Sequence, residues 1–327
     1  MPRVIAPGRV NLIGDHTDYT GGLVLPMAID LATTIDFTPA EIVTMSSDSD
    51  PEPVRFDPGS AFDPEMQPHW GRYVAAVASL MNAPRGFDGT VSTTLPVGAG
   101  LSSSAALEIA AALAMGFDGE PVALARLCQH AEHLATGVPT GIMDQMCIAS
   151  ARKGTATLID CTTLTVNHVA VPDEITILVE FIAHRTLVGS EYADRVAECA
   201  RAEDEIGPLR TATLDDIERI GDQVVRRRAR HVVSENQRVT RFASALEAGD
   251  LVTAGRLMVE SHRSLSEDFS VSNRVMDEAV NEMLRRPGVL GARMTGGGFG
   301  GCIVALCAGE TNGPGWRVSP AAGPLVI

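Results

Sequence analysis

The sequence predicts an α+β protein of two domains, and three observations carry that prediction. The chain has 327 residues, enough for two ordinary domains and a sizeable core. Its first half mixes strand and helix periods. Its second half is a run of helical periods that ends in a strand–glycine–strand unit, and no internal repeat is visible.

The elements follow in order. The apolar run Val10, Leu12, Ile13 reads as a buried strand. Residues 23–37 (LVLPMAIDLATTIDF) and 42–47 read as strands, and 70–80 (WGRYVAAVASL) as a helix. Residues 91–95 alternate as a short strand, while 105–115 and 122–135 are helical. Strands at 155–159 and 175–182 (ITILVEFI) flank a turn. Helical periods cover 191–206, 214–230, 232–248, 250–262 and 273–285, with breaks at Gly or Asp. A strand at 289–294 leads into a glycine run and a further strand at 302–307. The tail TNGPGWRVSPAAGPLVI is rich in Pro and Gly and reads as irregular. A boundary near VPDE (171–174) divides the chain into domains 1–172 and 173–327.

Composition narrows the function. Net charge is −15, so phosphate backbones and anionic lipid surfaces are repelled, and neither nucleic acid nor membrane is expected as a partner. An anionic ligand would need local dipoles and a few placed cations. The six cysteines form no CxxC pair and no zinc spacing, which suits reduced thiols in a cytoplasmic protein. MPRVIAPGRVN has no apolar segment of the kind found in signal peptides, and the longest helical apolar stretch, Ile109 to Met115, is too short to span a bilayer.

Three stretches carry chemistry. GRVNLIGDHTDYTGG (8–22) concentrates Arg9, Asp15, His16 and Asp18 at the end of an apolar strand, a dense hydrogen-bonding group. LPVGAGLSSSAALEIAAALAM (95–115) passes from a strand through Gly98 and Gly100 to three serines and a helix. Unpaired N–H groups and the dipole at that helix start make an anion site, and the glycines let a ligand approach the backbone. It lacks the GKS or GKT of a P-loop, and a serine hydroxyl is available to Mg²⁺. The alternative at this point is an ordinary serine-capped helix. MTGGGFGGCIVAL (294–306) places five glycines in the six positions 296–301 between strands, which fits close backbone approach to a ligand or to the first loop.

Together these stretches resemble the three motifs of the GHMP small-molecule kinases, and GRVNLIGDHTDYTGGLVLPMAI is similar to the signature of the galactokinase family. GIMDQ (141–145), RTLVGSEYADR (185–195), RARHVVSEN (228–236) and LMVESHRSLSEDFSVS (257–272) extend the resemblance over nearly the whole chain. It implies an N-terminal domain like ribosomal protein S5 domain 2 and a ferredoxin-like, helix-rich C-terminal domain. The implied reaction is ATP-dependent phosphorylation of the C1 hydroxyl of α-D-galactose, by a monomer or weak homodimer.

The resemblance also implies residue roles. Asp144 would be the base beside the reacting hydroxyl, with Arg9 keeping it ionised and offsetting phosphoryl charge. Asp15, His16 and Asp18 would clamp sugar hydroxyls, joined by Gly141 and Tyr192. Gly98, Gly100, Ser102 and Ser103 would line the phosphate loop, Trp70 would lie near the adenine, and Ser104 and Glu132 would be the Mg²⁺ ligands. Two departures concern the site: Asp15 stands where these kinases usually have Glu, and Thr140 where they usually have Cys. The chain is also short at both ends, where stability or association could differ. The shorter acid leaves room for a kinase of a related sugar (N-acetylgalactosamine, galacturonate or a 6-deoxy sugar). A non-catalytic galactose and ATP sensor is the other alternative; the complete SSSAA segment, Asp144 and Arg9 argue for catalysis.

Overall fold

The computed structural model describes residues 1–184, 191–309 and 313–327. In chain order the first half holds β1 (Arg3–Ile13), β2 (Leu23–Ala40), β3 (Val43–Ser47), β4 (Val54–Phe56), α1 (Gly71–Leu80), β5 (Gly86–Thr93), α2 (Ser103–Ala114), α3 (Pro121–Thr136), α4 (Met143–Ser150), β6 (Thr155–Asp160) and β7 (Thr165–Ala170). The second half holds β8 (Ile175–Ala183), α5 (Tyr192–Ile206), α6 (Leu214–Ile217), α7 (Gln223–Glu247), α8 (Leu251–Glu267), α9 (Arg274–Met283), β9 (Val289–Thr295), β10 (Gly301–Ala308), β11 (Trp316–Val318) and β12 (Leu325–Val326).

One sheet runs β12-β1-β2-β5-β3-β4, with β6 on the start of β2 and β7 on β6; the other runs β11-β8-β10-β9. β3 lies parallel to β5, and the other pairs described are antiparallel. The unbroken apolar start of β2 has a simple cause. Leu25, Met27 and Ile29 enter the main core, while Val24 and Ala28 on the opposite face pack with Met146 and Cys147 of α4. A strand covered on both faces needs apolar residues at successive positions.

Small residues set the close approaches that build the site. The alanines of α2 are buried against the core. A Cβ on Gly8 would lie 2.6 Å from the Leu101 carbonyl oxygen, so glycine there admits the 95–104 loop to β1. The Arg9 N–H donates to that same carbonyl at 3.2 Å. Farther on, Gly255 of α8 and Gly291 of β9 face each other, and a Cβ on either would fall within 2.3 Å of a backbone oxygen.

Three sequence expectations change. The tail is not irregular throughout: β11 pairs with β8, and β12 pairs Val4 and Ile5 of β1. Open sheet edges supply those partners, which Pro- and Gly-rich composition conceals. The segment 214–230 is not one helix, because the chain breaks around Gly221 and restarts at Asp222, whose side chain caps α7. From there α7 runs 25 residues without the break expected near residue 231, since no Gly or Pro interrupts it. Most of RTLVGSEYADR, residues 185–190, lies outside the described residues.

Candidate active site

Arg9 is the hub. It sits on β1 with its side chain 3% exposed. Its Nε donates to Asp144 Oδ1 at 2.8 Å, Nη2 lies 2.6 Å from the same oxygen, and Nη1 donates to the Gly100 carbonyl at 2.6 Å. Burial works against the Arg9 charge, but Asp144 more than compensates and the guanidinium pKa rises. One side chain thus ties the first motif to the phosphate loop and to α4.

Asp144 lies in the first turn of α4, behind Ile142 at the N-cap, so it is not itself the cap. Its other oxygen accepts from Ser102 Oγ at 2.6 Å. That bond bears on the two readings of the serine run. Ser102 occupies the N-cap of α2 with φ +61°, yet its side chain makes no capping bond. The hydroxyl is committed to Asp144 rather than to a cap, and Ser102, Ser103 and Ser104 at the start of α2 line the larger cavity, where an anion site would need them.

Two cavities meet at this carboxylate. The larger, of about 510 Å³, is lined by Gly98, Gly100, Ser102, Ser103, Ser104, Glu132 and Trp70, with Tyr73 and Thr33 farther along. The smaller, of about 50 Å³, is lined by Arg9, Asp15, His16, Asp18, Gly141 and Tyr192, with Gly296 and Gly297. Asp144 and Thr140 line both. The second glycine run therefore meets the 14–23 loop rather than the phosphate loop: the Gly296 N–H donates to Asp15 Oδ1 at 2.9 Å.

In the small cavity, Asp18 is partly buried and lies against Gly141 so closely that a Cβ there would fall 1.8 Å from its Oδ2. Burial and then Asp144 push the Asp18 pKa up to about 6, opposed by the N–H groups of Tyr19 and Met143. The His16 ring is held by the Tyr19 hydroxyl at 3.0 Å from Nδ1 and lies 4.7 Å from the Phe269 ring. Asp15 is different. It is 1% exposed, with one oxygen on the Gly296 N–H and the other on the guanidinium of Arg293. Arg293 is fully buried and also donates to the Leu12 carbonyl at 3.2 Å. Asp15 is thus tied back to β9 while still forming part of the cavity wall.

Along the larger cavity, Ser104 Oγ donates to Glu132 Oε1 at 2.8 Å, and Gln145 Nε2 donates to Glu132 Oε2 at 2.8 Å. Behind them Glu108 is buried on the same Gln145 amide at 3.2 Å. Burial, and then neighbouring carboxylates, raise the pKa of both Glu132 and Glu108. A cation beside them would relieve that repulsion. A hydroxyl and a carboxylate next to a phosphate loop fit Mg²⁺, with phosphate oxygens and water completing its shell.

Sequence reasoning missed Arg293, Gln145 and Tyr73. The signals were at hand: Arg293 opens RMTGGG, Gln145 closes GIMDQ, and Tyr73 stands three residues after Trp70 on one helix face.

Comparison with known proteins identifies the fold and the family. The N-terminal domain of GHMP kinases matches residues 72–152 and their C-terminal domain residues 242–314. A mevalonate kinase structure shares the fold at 19% identity and a TM-score of 0.66, covering 93% of this chain and 91% of its own. The chain is a GHMP kinase, of an ATP-dependent class. The galactokinase galactose-binding signature matches residues 3–39. Galactokinases of Bos taurus and Homo sapiens are 43% and 42% identical over 93% of this chain and 83% of theirs. A Lactococcus lactis galactokinase complexed with galactose superposes with a TM-score of 0.90 at 29% identity, covering 99% of this chain and 94% of its own. The chain belongs to the galactokinase family.

Proposed function

We propose that this chain transfers the γ-phosphoryl group of ATP to the C1 hydroxyl of α-D-galactose, giving galactose 1-phosphate. The observation that carries the reading is the position of Asp144 on the wall of both cavities. ATP occupies the larger, with its phosphates at the first N–H groups of α2, and the sugar occupies the smaller. Asp144 takes the C1 hydroxyl proton as the oxygen attacks phosphorus in line. Arg9 holds that carboxylate in place and offsets charge on the transferred group. Ser102 fixes the second carboxylate oxygen. Asp18, His16, Gly141 and Tyr192 orient the sugar, and Trp70 borders the adenine.

Ser104 and Glu132 would hold Mg²⁺, which would supply charge neutralisation on the phosphates. Residues of one chain line both cavities, which suits a monomer or a weak homodimer. The free thiols of Cys128, Cys147, Cys161 and Cys199 support a reducing, cytoplasmic setting; among the described residues no helix is long and apolar enough to cross a membrane. The domain division at 172/173 belongs to this proposal and falls in the link between β7 and β8.

A second reading rests on Asp15. Because both its oxygens are engaged by Arg293 and Gly296, the far end of the sugar site differs from one with a free carboxylate, which favours a related sugar as substrate. ADP release from Mg·ATP against galactose, 2-deoxygalactose, N-acetylgalactosamine, galacturonate, fucose, arabinose and glucose separates the two. Galactose well ahead of the rest supports the first reading; another sugar ahead replaces it. No turnover, with galactose still raising Tm, turns the assignment to a sensor.

A further inference from the structure

The RARHVVSEN stretch lies in α7, and none of its residues lines either cavity. Three of its side chains nevertheless reach the backbone of the 14–23 loop. His231 Nε2 donates to the Asp15 carbonyl at 3.1 Å, Glu235 Oε1 accepts from the Gly14 N–H at 3.0 Å, and Asn236 Oδ1 accepts from the Leu23 N–H at 2.7 Å. The spacing i, i+4, i+5 puts all three on one helix face. They grip the loop at both ends.

Each is itself locked. Since Nε2 must carry the proton to meet a carbonyl, His231 is the tautomer whose Nδ1 accepts from Ser264 Oγ at 2.9 Å. Burial lowers its pKa to about 4, which keeps the ring neutral. Glu235 also accepts from Ser261 Oγ at 2.5 Å and from Arg238 at 2.6 Å. Asn236 Nδ2 donates to the Val232 carbonyl at 3.0 Å.

The loop needs outside support. His16 holds φ +64°, an unfavourable conformation for a side-chain-bearing residue. Gly22 leaves room for the helix, because a Cβ there would lie 2.7 Å from Asn236 Oδ1. The Phe269 ring joins the two sides, 4.6 Å from His231 and 4.7 Å from His16.

We propose that His231, Glu235 and Asn236 are positioning residues that set sugar affinity by holding the 14–23 loop in its binding shape. This rests on the reading of that loop as the sugar clamp. In Asn236→Ala the Leu23 N–H loses its acceptor, with no charge stranded and neither cavity wall altered. The KM for galactose rises about tenfold, the upper range for one lost, partly buried hydrogen bond, while kcat and the KM for ATP stay within about twofold. His231→Ala acts in the same direction, and His231→Gln, which returns an amide N–H to the Asp15 carbonyl, recovers part of the loss. A folded Asn236→Ala with unchanged galactose KM overturns the proposal, as does an equal rise in both KM values. The parent is assayed first. If it turns over no galactose, the sugar reading fails and the affinity claim with it. Amide exchange then decides the grip alone: Leu23 exchanging about tenfold faster in Asn236→Ala than in the parent supports it, and equal rates overturn it.

Discussion

Asp144→Asn tests the centre of the mechanism, and the geometry sets what it changes. The amide is nearly isosteric. Its oxygen still accepts from Arg9, and its NH₂ meets Ser102 Oγ, whose hydroxyl turns from donor to acceptor, so the local hydrogen bonds survive. What is lost is the negative charge and the basic oxygen. A general base contributes about 10²–10⁴ in rate, equivalent to about 3–5 kcal/mol at the barrier. The variant also leaves the Arg9 charge, 3% exposed, facing a neutral partner. Breaking a buried pair outright costs about 3–5 kcal/mol, and the retained amide oxygen keeps the cost below that range. Turnover measured as ADP release at saturating galactose and Mg·ATP should fall by at least about a hundredfold. ATP affinity by calorimetry should stay within about threefold, because the phosphate loop is intact. A folded variant with turnover within about threefold of the parent removes Asp144 from the role of base.

Three further outcomes follow from the same geometry. Asp15→Ala leaves a fully buried Arg293 without its carboxylate, so chemical unfolding should show a loss of about 3–5 kcal/mol, and a loss below about 1 kcal/mol refutes the pair as a structural anchor. Gly141→Ala drives a methyl into the Asp18 carboxylate, so the KM for galactose should rise while the KM for ATP holds; equal KM values for the sugar show that Asp18 does not bind it. Asp18 has a folded pKa of about 6 against an ordinary 3.8. Its contribution to stability is therefore full below about pH 4 and is lost as pH rises through 6. Galactose affinity that uses its ionised form strengthens over that same upper limb, and Asp18→Asn should flatten the profile; an unchanged profile refutes the assignment.

How legible this was in the sequence depended on the range of the interactions. The 8–22 and 95–115 stretches could be read because their glycines, charges and apolar runs are contiguous. So could the strand and helix order around them. Arg293 was passed over although it opens RMTGGG, because an arginine is read as a surface residue unless its partner is known, and Asp15 stands 278 positions away. The bond of Ser102 to Asp144 was hidden for the same reason, although both residues lay in quoted motifs. β11 and β12 are short, and exist only because distant edges accept them. The expected break near residue 231 has no Gly or Asp to cause it, and the helix continues with His231, Glu235 and Asn236 buried against the 14–23 loop.

The grip of α7 on that loop also orders events in time. Synthesis runs from the N- to the C-terminus, so the 14–23 loop leaves the ribosome well before α7. Among the described residues, the walls of the larger cavity lie between Thr33 and Asp144 and also emerge before α7. The anchors of the loop, from His231 to Gly296, come last. On the proposed roles, the sugar loop is made before its anchors and secured only once they arrive, and a chain that stops short of α7 carries the proposed phosphate-binding residues without a formed sugar clamp. In refolding followed by pulsed amide exchange, Gly14 and Leu23 should gain protection after the amides of α2; earlier protection would mean that the loop shapes itself.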